Sequence, residues 1–443
     1  MTRTFGVVGL LALVLVSLLA APAAAQPNVV GQWASVPALP FYPVHVALLP
    51  TGRVMIWPGD GGISGDDPRL WDPATATTTA LTKPGYDIFC SGHTLLADGR
   101  VFVAGGHIQN NVGLPNASAY DATTNAWTPF PAMNAGRWYP TSITLANGDP
   151  LVVSGSIDNT IGVNRLPQVL DLATGTWRNL TNAQLGVPLY PQMLLAPNGQ
   201  VFNPGPSQTT RYLNTSGTGA WTVVGNRQFG LRSYGSAVMY ADGKVLVMGG
   251  GDPPTRTAEV IDLNAPTPTW RLVGQMAIAR RQTNAVLLPD GKVLVTGGTS
   301  GAGFNNAATP VFPAELWDPV AETWTTMASA QIPRLYHSAA LLLPDGRVLT
   351  TGGNGYPDTE VYSPPYLFKG TRPSITTAPA SVSYGQSFFV GTPDAAGVTS
   401  VTLLRLGSVT HTFNLNQRIR RLNLQKQLNL VEKRKKLSLL QSQ

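Results

Sequence analysis

The most regular feature of the chain is a hydrophobic pattern that recurs seven times between residues 44 and 353. Each copy has an apolar run, a polar turn ending in glycine, a second apolar run and then small residues, as in AVMYADGKVLVMGG. The turn glycines, spaced 44–55 residues apart, are Gly52, Gly99, Gly148, Gly199, Gly243, Gly291 and Gly346. Apolar runs on both sides of an Asp-Gly or Asn-Gly turn predict β-hairpins, here with two-residue turns.

Most copies are followed by a second polar turn and a tryptophan, as in VLDLATGTW and LWDPVAETW. These tryptophans (Trp127, Trp177, Trp270 and Trp324) are expected to pack between repeats. A β-rich unit of about 50 residues is typical of the kelch repeat. The sequence therefore predicts an all-β, seven-bladed kelch-type β-propeller over residues 26–366. The last repeat lacks a tryptophan strand, and the segment VVGQW at residues 29–33 is expected to supply it and close the ring.

The repeat ends before residue 371, and the remaining sequence has two parts. Residues 371–418 alternate in short runs and predict an incomplete immunoglobulin-like β-sandwich. Residues 419–443 contain no glycine, proline or aromatic residue. Three interpretations of this basic tail stay open: a short amphipathic helix with Leu424, Leu428 and Val431 on one face, a disordered end, or a truncated domain followed by a shifted reading frame.

The formal net charge of +7 comes from one end of the chain. Eight basic residues and one acidic residue lie from Arg418 onward, which equals the whole excess of 30 Lys and Arg over 23 Asp and Glu. Residues 1–417 are therefore neutral, and only 12% of the chain is charged. A nucleic-acid-binding protein would spread basic residues over one face, so we expect no nucleic acid partner.

Residues 1–25 have the pattern of a secretory signal peptide. Arg3 precedes an apolar run from Val7 to Ala21, and three alanines precede Gln26. A membrane anchor is the alternative, but the apolar run is shorter than the ~20 residues that a span needs. The mature protein is therefore expected to be secreted, monomeric and free of the membrane. Secreted proteins usually pair their cysteines, yet Cys90 is the single cysteine. It is either a reactive thiol in an unusual bond or a small buried apolar residue.

Chemistry-bearing residues share one position in the repeat. Nine residues before the successive turn glycines stand Pro43, Cys90, Tyr139, Tyr190, Tyr234, Gln282 and His337, with Tyr336 directly before the last. Equal offsets bring these residues to one level of the propeller channel. Phenol oxygen and imidazole nitrogen together suit Cu(II). A purely structural Tyr336–His337 pair at the end of a strand remains the alternative from the residues alone.

Four motifs around these positions resemble the copper radical oxidases, the family of galactose oxidase and glyoxal oxidase. They are FCSGH around Cys90, GRWYP around Tyr139, RLYHSAALLLPDGRV around Tyr336 and His337, and SVTHTFNLNQR around His411. They occur in the family's order and on the same predicted frame. The resemblance covers nearly everything from Gln26 to Arg418.

The resemblance implies a site built from five residues. Cys90 would be joined to Tyr139 by a thioether that stabilises a tyrosyl radical, with Tyr139, His337 and His411 as copper ligands. Tyr336 would be the axial ligand and the base that takes the proton of the substrate. The implied reaction oxidises a small aldehyde or primary alcohol with O2, giving hydrogen peroxide. The RWYP motif is similar to glyoxal oxidase rather than galactose oxidase, which favours small substrates over galactose.

Further expectations concern the surroundings of the site. Tyr190 and Tyr234 either line the substrate entrance or are structural. The remaining histidines (His45, His93 and His107) are expected to be structural, and strand alternation predicts that Trp138 points away from Tyr139. The short sandwich is expected to hold His411 loosely, which would weaken copper binding. The rival function is a non-catalytic kelch propeller that binds protein or glycan through its loops.

Overall fold

Seven antiparallel sheets make up most of the structure, a computed structural model that describes residues 26–59, 64–383, 385–414, 416–428 and 435–440. Each sheet corresponds to one sequence repeat and forms one propeller blade, so the predicted all-β, seven-bladed fold is confirmed. The predicted signal peptide lies outside the described residues. The helices of the described part are one α-helix and two 3-10 turns, all too short to cross a membrane: Pro27–Val30, Thr181–Ala183 and Pro365–Phe368.

The blades are built alike, and their first strands contact one another around the propeller axis. From blade one to blade seven, the first strands are Pro43–Leu48, Gly92–Leu95, Trp138–Thr144, Gln192–Leu195, Ser236–Ala241, Asn284–Leu287 and Ser338–Leu342. The second strands are Val54–Pro58, Val101–Ala104, Pro150–Asp158, Val201–Gly205, Lys244–Met248, Val293–Thr296 and Val348–Gly352. The third strands are Arg69–Asp72, Ala117–Asp121, Gln168–Asp171, Thr209–Asn214, Ala258–Asp262, Pro313–Asp318 and Thr359–Ser363. The outermost strands are Thr77–Ala80, Ala126–Phe130, Thr176–Asn179, Ala220–Asn226, Arg271–Leu272, Thr323–Ser329 and, in blade seven, Gln32–Val36. Short additional strands are His107–Gln109, Val112–Gly113 and Gly162–Val163.

The turns between first and second strands differ from the prediction. In blade one, the Leu49 N–H donates to the Arg53 carbonyl (2.9 Å), which leaves a three-residue loop, and five other blades have the same bond. The prediction of two-residue turns is wrong for these six blades; blade five turns through Asp242 and Gly243. The turn glycines have φ between 70° and 96°. A left-handed residue is what ends a three-residue hairpin loop, which explains the glycine.

The N-terminal strand closes the propeller, as the sequence predicted. Gln32–Val36 pairs antiparallel with Thr359–Ser363, and the Trp33 Nε1–H reaches blade six to donate to the Ala328 carbonyl (2.8 Å). Other outer-strand tryptophans reach toward the preceding blade in the same way. Trp177 donates to the Pro131 carbonyl and Trp324 to the Gly274 carbonyl, each at 2.7 Å. These tryptophans therefore lie between blades, where the sequence placed them.

The hydrophobic core is divided among the seven blade interfaces. Val46 and Leu48 pack toward blade seven, whereas the alternate residues Ala47 and Leu49 pack toward blade two. The other blades contribute to two interfaces in the same manner. Because both faces of these strands are buried, the sequence shows continuous apolar runs instead of apolar–polar alternation.

Sandwich-like strands follow the propeller. Phe388–Gly391, Lys435–Leu440, Ile419–Leu428 and Val401–Leu404 form one antiparallel sheet in that order. Its small core contains Ala395 and Leu422. A separate hairpin, Ser408–Thr410 and Phe413–Asn414, leaves this sheet and pairs with the first strand of blade one.

The described residues of the basic tail form part of the C-terminal sheet. Residues 419–428 are a strand, so the helical interpretation of this segment is wrong. Leu422 and Leu424 are more buried than the neighbouring Asn423 and Gln425, a period of two that fits a strand. Val401–Leu404 lies beside it as a pairing partner. Pairing with a neighbouring strand thus decides the conformation of this segment, and the helical spacing of its leucines does not.

Candidate metal centre

The residues nine positions before the turn glycines share an unusual backbone conformation. Because they lie at one level around the propeller channel, we call them the ring residues, and the set the ring. Six of the seven have φ between 44° and 66°: Cys90, Tyr139, Tyr190, Tyr234, Gln282 and His337. The seventh is Pro43, whose pyrrolidine ring holds φ at about −65°. A left-handed backbone costs a non-glycine residue roughly 1–3 kcal/mol and persists only where the surroundings enforce it. Direct backbone bonds join neighbours in this ring, for example Tyr139 N–H to the Cys90 carbonyl (2.8 Å).

Two phenols and one imidazole meet at the blade-three and blade-seven side of the ring. Tyr139 Oη lies 2.6 Å from Tyr336 Oη and 3.3 Å from His337 Nε2. His337 Nδ1 lies 2.7 Å from Asn354 Oδ1. Since an amide oxygen only accepts, Nδ1 carries the proton and the Nε2 lone pair faces the phenol. Asn354, which follows the double glycine of blade seven, therefore fixes the tautomer and was not foreseen from the sequence.

His411 reaches the same place from the opposite direction. It follows Ser408–Thr410, the hairpin strand that pairs with Pro43–Leu48 inside the propeller. Its ring centroid lies 4.4 Å from that of Tyr139 and 4.5 Å from that of His337. The side chain is only 3% exposed. The expectation of a loosely held His411 is not what the structure has, because the hairpin is anchored by the propeller itself.

The hairpin is anchored on both sides of His411. Thr410 Oγ1 lies 2.7 Å from His411 Nδ1, and Gln417 forms two hydrogen bonds with the backbone of Leu287 in blade six. His411 Nε2 is buried and has no hydrogen-bond partner among the described residues. A buried imidazole nitrogen needs a partner: a hydrogen-bond donor or a metal ion if it carries a lone pair, or an acceptor if it carries a proton.

Cys90 lies directly beside Tyr139. Its side chain is fully buried, and it belongs to one apolar cluster with Tyr139, Trp138 and Tyr190. The backbone bond between Cys90 and Tyr139 couples the two blades at this point. The structure thus brings together all five residues that the sequence singled out for the site.

The prediction for Trp138 is wrong. Its ring stacks on the Tyr139 ring with centroids 3.6 Å apart and an interplanar angle of 6°. Its Nε1–H donates to His107 Nδ1 (3.1 Å), which holds the indole in place. Strand alternation would separate the two rings, but the left-handed φ of Tyr139 interrupts the alternation at that residue. Trp138 therefore covers one face of the Tyr139 phenol.

Burial sets the electrostatics of the site. Desolvation raises the pKa of Tyr139 well above its ordinary value, and the nearby Cys90 and Tyr336 add to the effect. Desolvation also lowers the pKa of His337 to about 4 and lowers that of His411 further from its ordinary value. Both imidazoles are therefore neutral near pH 7, the form that binds metals.

The three other histidines lie around the same site. His45 is fully buried between Trp57, His93 and His411, and the His107 ring packs on Phe89. All five histidines of the chain are thus gathered at one end of the channel. The sequence contains one sign of this clustering: four of the five histidines in a chain of 443 residues stand next to the apolar runs of the repeats.

The two tyrosines considered for the entrance occupy different places. Tyr190 is buried beneath Tyr139, stacks on it at 4.5 Å and donates its hydroxyl to the Ser91 carbonyl (2.9 Å). Tyr234 is partly exposed and lies 5.9 Å from Phe304, itself 4.7 Å from Tyr336. Phe304 is 58% exposed and was not identified from the sequence. The mouth of the site is therefore aromatic, and a role for Tyr234 there stays a prediction.

The residues present fit a copper ion. Two phenol oxygens, the lone pair of His337 Nε2 and the unpartnered His411 Nε2 form an N2O2 donor set, which suits Cu(II). Within the described residues, no group of three or more His, Cys, Asp and Glu side chains is arranged to hold a metal. A metal at this place therefore depends on the phenols.

Comparison with known proteins extends this picture to both parts of the chain. Residues 252–366 match the family described as Glyoxal oxidase N-terminus, and residues 372–440 match the Galactose oxidase-like, Early set domain. A galactose oxidase of Gibberella zeae is 31% identical over 448 aligned positions, which cover 89% of this chain. The aldehyde oxidase GLOX of Vitis pseudoreticulata is 28% identical over 66% of this chain.

A solved structure agrees with these sequence matches. A fungal alcohol oxidase of the AA5 family, in complex with copper, superposes with a TM-score of 0.83 at 28% identity and covers 93% of both chains. The chain spans 64% of the length of the galactose oxidase and of the aldehyde oxidase. The two family models match the last part of the propeller and the C-terminal sheet. The predicted resemblance of this chain to the galactose oxidase and glyoxal oxidase family of copper oxidases is thereby confirmed.

Proposed function

We propose that the protein is a secreted copper oxidase that converts a small primary alcohol or aldehyde with O2 into the oxidised product and hydrogen peroxide. The observation that carries the proposal is the meeting of Tyr139, Tyr336, His337 and His411 in one buried place, although they come from three separate parts of the chain. A propeller that only binds partners has no need for buried phenols beside two neutral imidazoles, one of which, His411, has an unsatisfied nitrogen.

Tyr139, Tyr336, His337 and His411 would hold the copper ion. When bound, copper supplies a one-electron acceptor and a positive charge. In the structure, the two phenols share a hydrogen bond of 2.6 Å, and burial keeps their protons in place by raising the pKa of both. A cation at this point would favour the phenolate forms by direct attraction.

The protein side chains have separate tasks in the reaction. Tyr336 lies at the partly exposed side of the site and would accept the hydroxyl proton of the substrate. Tyr139, in its radical form, would take a hydrogen atom from the carbon that bears the hydroxyl. Two electrons and two protons thus leave the alcohol, or the hydrate that an aldehyde forms with water, and O2 accepts them as hydrogen peroxide. Trp138 and Tyr190 lie against the Tyr139 ring and exclude water from it.

A thioether between Cys90 and Tyr139 is the second part of the proposal. The Cys90 S–H bond and one ring C–H bond of Tyr139 would break, and a carbon–sulfur bond would form. The two electrons and two protons released would pass to O2, giving hydrogen peroxide. The buried contact between the two residues supports this step, and it accounts for a single cysteine in an exported chain.

The surroundings favour a small substrate. The aromatic mouth formed by Tyr234, Phe304 and Tyr336 offers apolar contacts to a short carbon chain. The names of the relatives include galactose, aldehyde and alcohol oxidases. Small aldehydes and simple alcohols are therefore the substrates we propose, ahead of galactose.

Mass spectrometry of the copper-treated protein tests the proposal. After incubation with copper and O2, the peptides that contain Cys90 and Tyr139 are expected to appear as one linked species, two hydrogens lighter than their sum. A Cys90→Ala variant provides the matched control, since its Tyr139 peptide must remain unmodified. Two separate, unmodified peptides from the wild-type protein would contradict the proposal and favour the non-catalytic kelch propeller.

A further inference from the structure

The backbone N–H of Cys90 has an acceptor that differs from the pattern of the ring. It donates to His45 Nε2 at 3.1 Å, across 45 residues of sequence. At three other ring positions, the N–H goes to the carbonyl of the preceding ring residue. The 2.8 Å bonds from Tyr139 to Cys90, from Tyr190 to Tyr139 and from Gln282 to Tyr234 follow this rule. At Cys90, a side-chain nitrogen takes the place of the backbone carbonyl.

The position of His45 is itself tightly determined. Its ring is fully buried and stacks on Trp57 with centroids 4.8 Å apart and an angle of 3°. The Trp57 Nε1–H in turn donates to the carbonyl of Ile88, two residues before Cys90 (3.0 Å). Ser91 donates its hydroxyl to the same carbonyl (2.7 Å). His45 and Trp57 thus form a brace from blade one around the segment that carries Cys90.

This brace acts on a strained residue. Cys90 has φ of 60°, a conformation that a non-glycine residue adopts only when its surroundings hold it. Its carbonyl accepts from Tyr139, and its N–H is satisfied by His45. Both backbone groups of Cys90 are therefore fixed, and with them the direction of its Cα–Cβ bond. In the extended conformation that cysteine prefers, the thiol would point elsewhere.

We infer that His45 is a positioning residue for the Cys90–Tyr139 thioether: its Nε2 holds Cys90 in the left-handed conformation that directs the thiol at the Tyr139 ring. This inference rests on the proposed function, since it presupposes that the thioether forms. His45 takes no part in the oxidation and acts only through Cys90. The hydrogen bond from His45 is needed only until the carbon–sulfur bond has formed, because that bond then fixes the position of Cys90.

Two substitutions separate the hydrogen bond from the packing. His45→Gln keeps an acceptor at a similar reach but loses the ring that stacks on Trp57. His45→Phe keeps the ring and the stacking but leaves the Cys90 N–H without an acceptor. We expect thioether formation at saturating copper and O2 to slow about tenfold in His45→Phe. In His45→Gln it is expected to stay within about threefold of wild type, because the bond is retained. If His45→Phe does not fold, His45→Met removes both features and takes its place.

The rate is followed as the fraction of linked Cys90–Tyr139 peptide over time, independently of turnover. Copper affinity, measured by competition with a chelator, is expected to be the same in all variants, since His45 is not among the ligands. Equal rates of linkage in wild type and His45→Phe, or equally slow linkage in His45→Gln and His45→Phe, would overturn the positioning role alone. Failure of the wild-type protein to form the link would overturn the proposed function and this inference together.

Discussion

At the scale of single residues, the site consists of groups that folding alone does not favour. The ring residues hold left-handed backbone angles, and four imidazoles are buried without charge: His45, His93, His337 and His411. His45 Nδ1, His93 Nε2 and His411 Nε2 are buried without a partner among the described residues. Strain and unsatisfied polar groups are tolerated where function requires them. The stability of the blade interfaces offsets this cost.

The buried histidines predict a loss of stability in mild acid for the copper-free protein. Burial lowers the pKa of His93 to about 3 and that of His337 to about 4, whereas the unfolded chain binds these protons near pH 6.5. The unfolded state therefore gains protons first, and stability is lost as the pH falls from 6.5 toward 4. Between pH 7 and pH 5, each of the two is expected to lower the free energy of unfolding by about 2 kcal/mol. The pKa of His45 and of His411 is also lowered by burial, and these residues act in the same direction.

Urea denaturation at the two pH values measures this change. A His93→Gln variant is the matched control, and its pH-dependent loss is expected to be smaller by about 2 kcal/mol. A free energy of unfolding that stays constant between pH 7 and pH 5 would show that the histidines do not titrate as their burial implies.

At the scale of elements, a buried arginine precedes the ring residue of several blades. Arg232 pairs with Glu259 (2.7 Å) and Arg280 with Glu315 (2.6 Å), all four side chains being almost fully buried. Glu315 also accepts the N–H of Ala277 in the connection from blade five. Each arginine thus ties the start of a blade to the third strand of the same blade. This repeated arginine was present in the sequence but was not recognised as part of the repeat.

The spacing between arginine and ring residue explains one feature of the site. The separation is two residues in GRWY, LRSY and ARRQ, but three in RLYH, where Arg334 precedes His337. The additional residue in blade seven accompanies the presence of Tyr336 directly before the ring histidine. Tyr336 stands two residues after its arginine, where the other three blades have the ring residue itself, and its phenol reaches that of Tyr139.

The buried pair of Arg280 and Glu315 predicts a large effect of substitution. Arg280→Met leaves the Glu315 carboxylate buried without its partner, so the free energy of unfolding is expected to fall by about 3–5 kcal/mol. The exposed pair of Arg271 and Glu322 provides the control, because Arg271→Met should cost less than about 1 kcal/mol. Chemical denaturation of both variants checks the difference. Equal losses in the two variants would refute the structural role of the buried arginine.

At the scale of the whole molecule, the C-terminal hairpin completes the site of the propeller. The Gln417 side chain accepts the Leu287 N–H (2.9 Å) and donates to the Leu287 carbonyl (2.8 Å), as a neighbouring strand would. Thr402, on the C-terminal sheet, donates to the Pro289 carbonyl in the turn that follows the strand containing Leu287 (3.0 Å). Of these contacts, the one at Gln417 lies closer in sequence to His411.

Gln417→Ala is therefore expected to weaken copper binding about tenfold while leaving the propeller folded, because two buried backbone groups lose their partner and the hairpin with His411 loosens. Chelator competition measures the affinity, and circular dichroism confirms the fold. Thr402→Ala is the control and should leave the copper affinity within about twofold. If both variants bind copper like the wild type, His411 is held without the help of Gln417.

Much of this architecture follows from the sequence itself. Seven copies of one apolar pattern determine seven blades, because each copy has two faces to bury and can bury them only against its neighbours. The equal offset from the turn glycine also placed Cys90, Tyr139 and His337 at one level. These features can be predicted from the sequence because the same local pattern occurs in every repeat.

Only the tertiary structure decided the remaining features, since they depend on contacts between distant segments. The stacking of Trp138 on Tyr139 requires the left-handed backbone of Tyr139, and no local sequence pattern predicts this conformation. The strand at residues 419–428 depends on a partner at Val401–Leu404. The bond between His45 and Cys90 joins two blades. Sequence periodicity determines which elements form, and long-range packing determines which side chains meet.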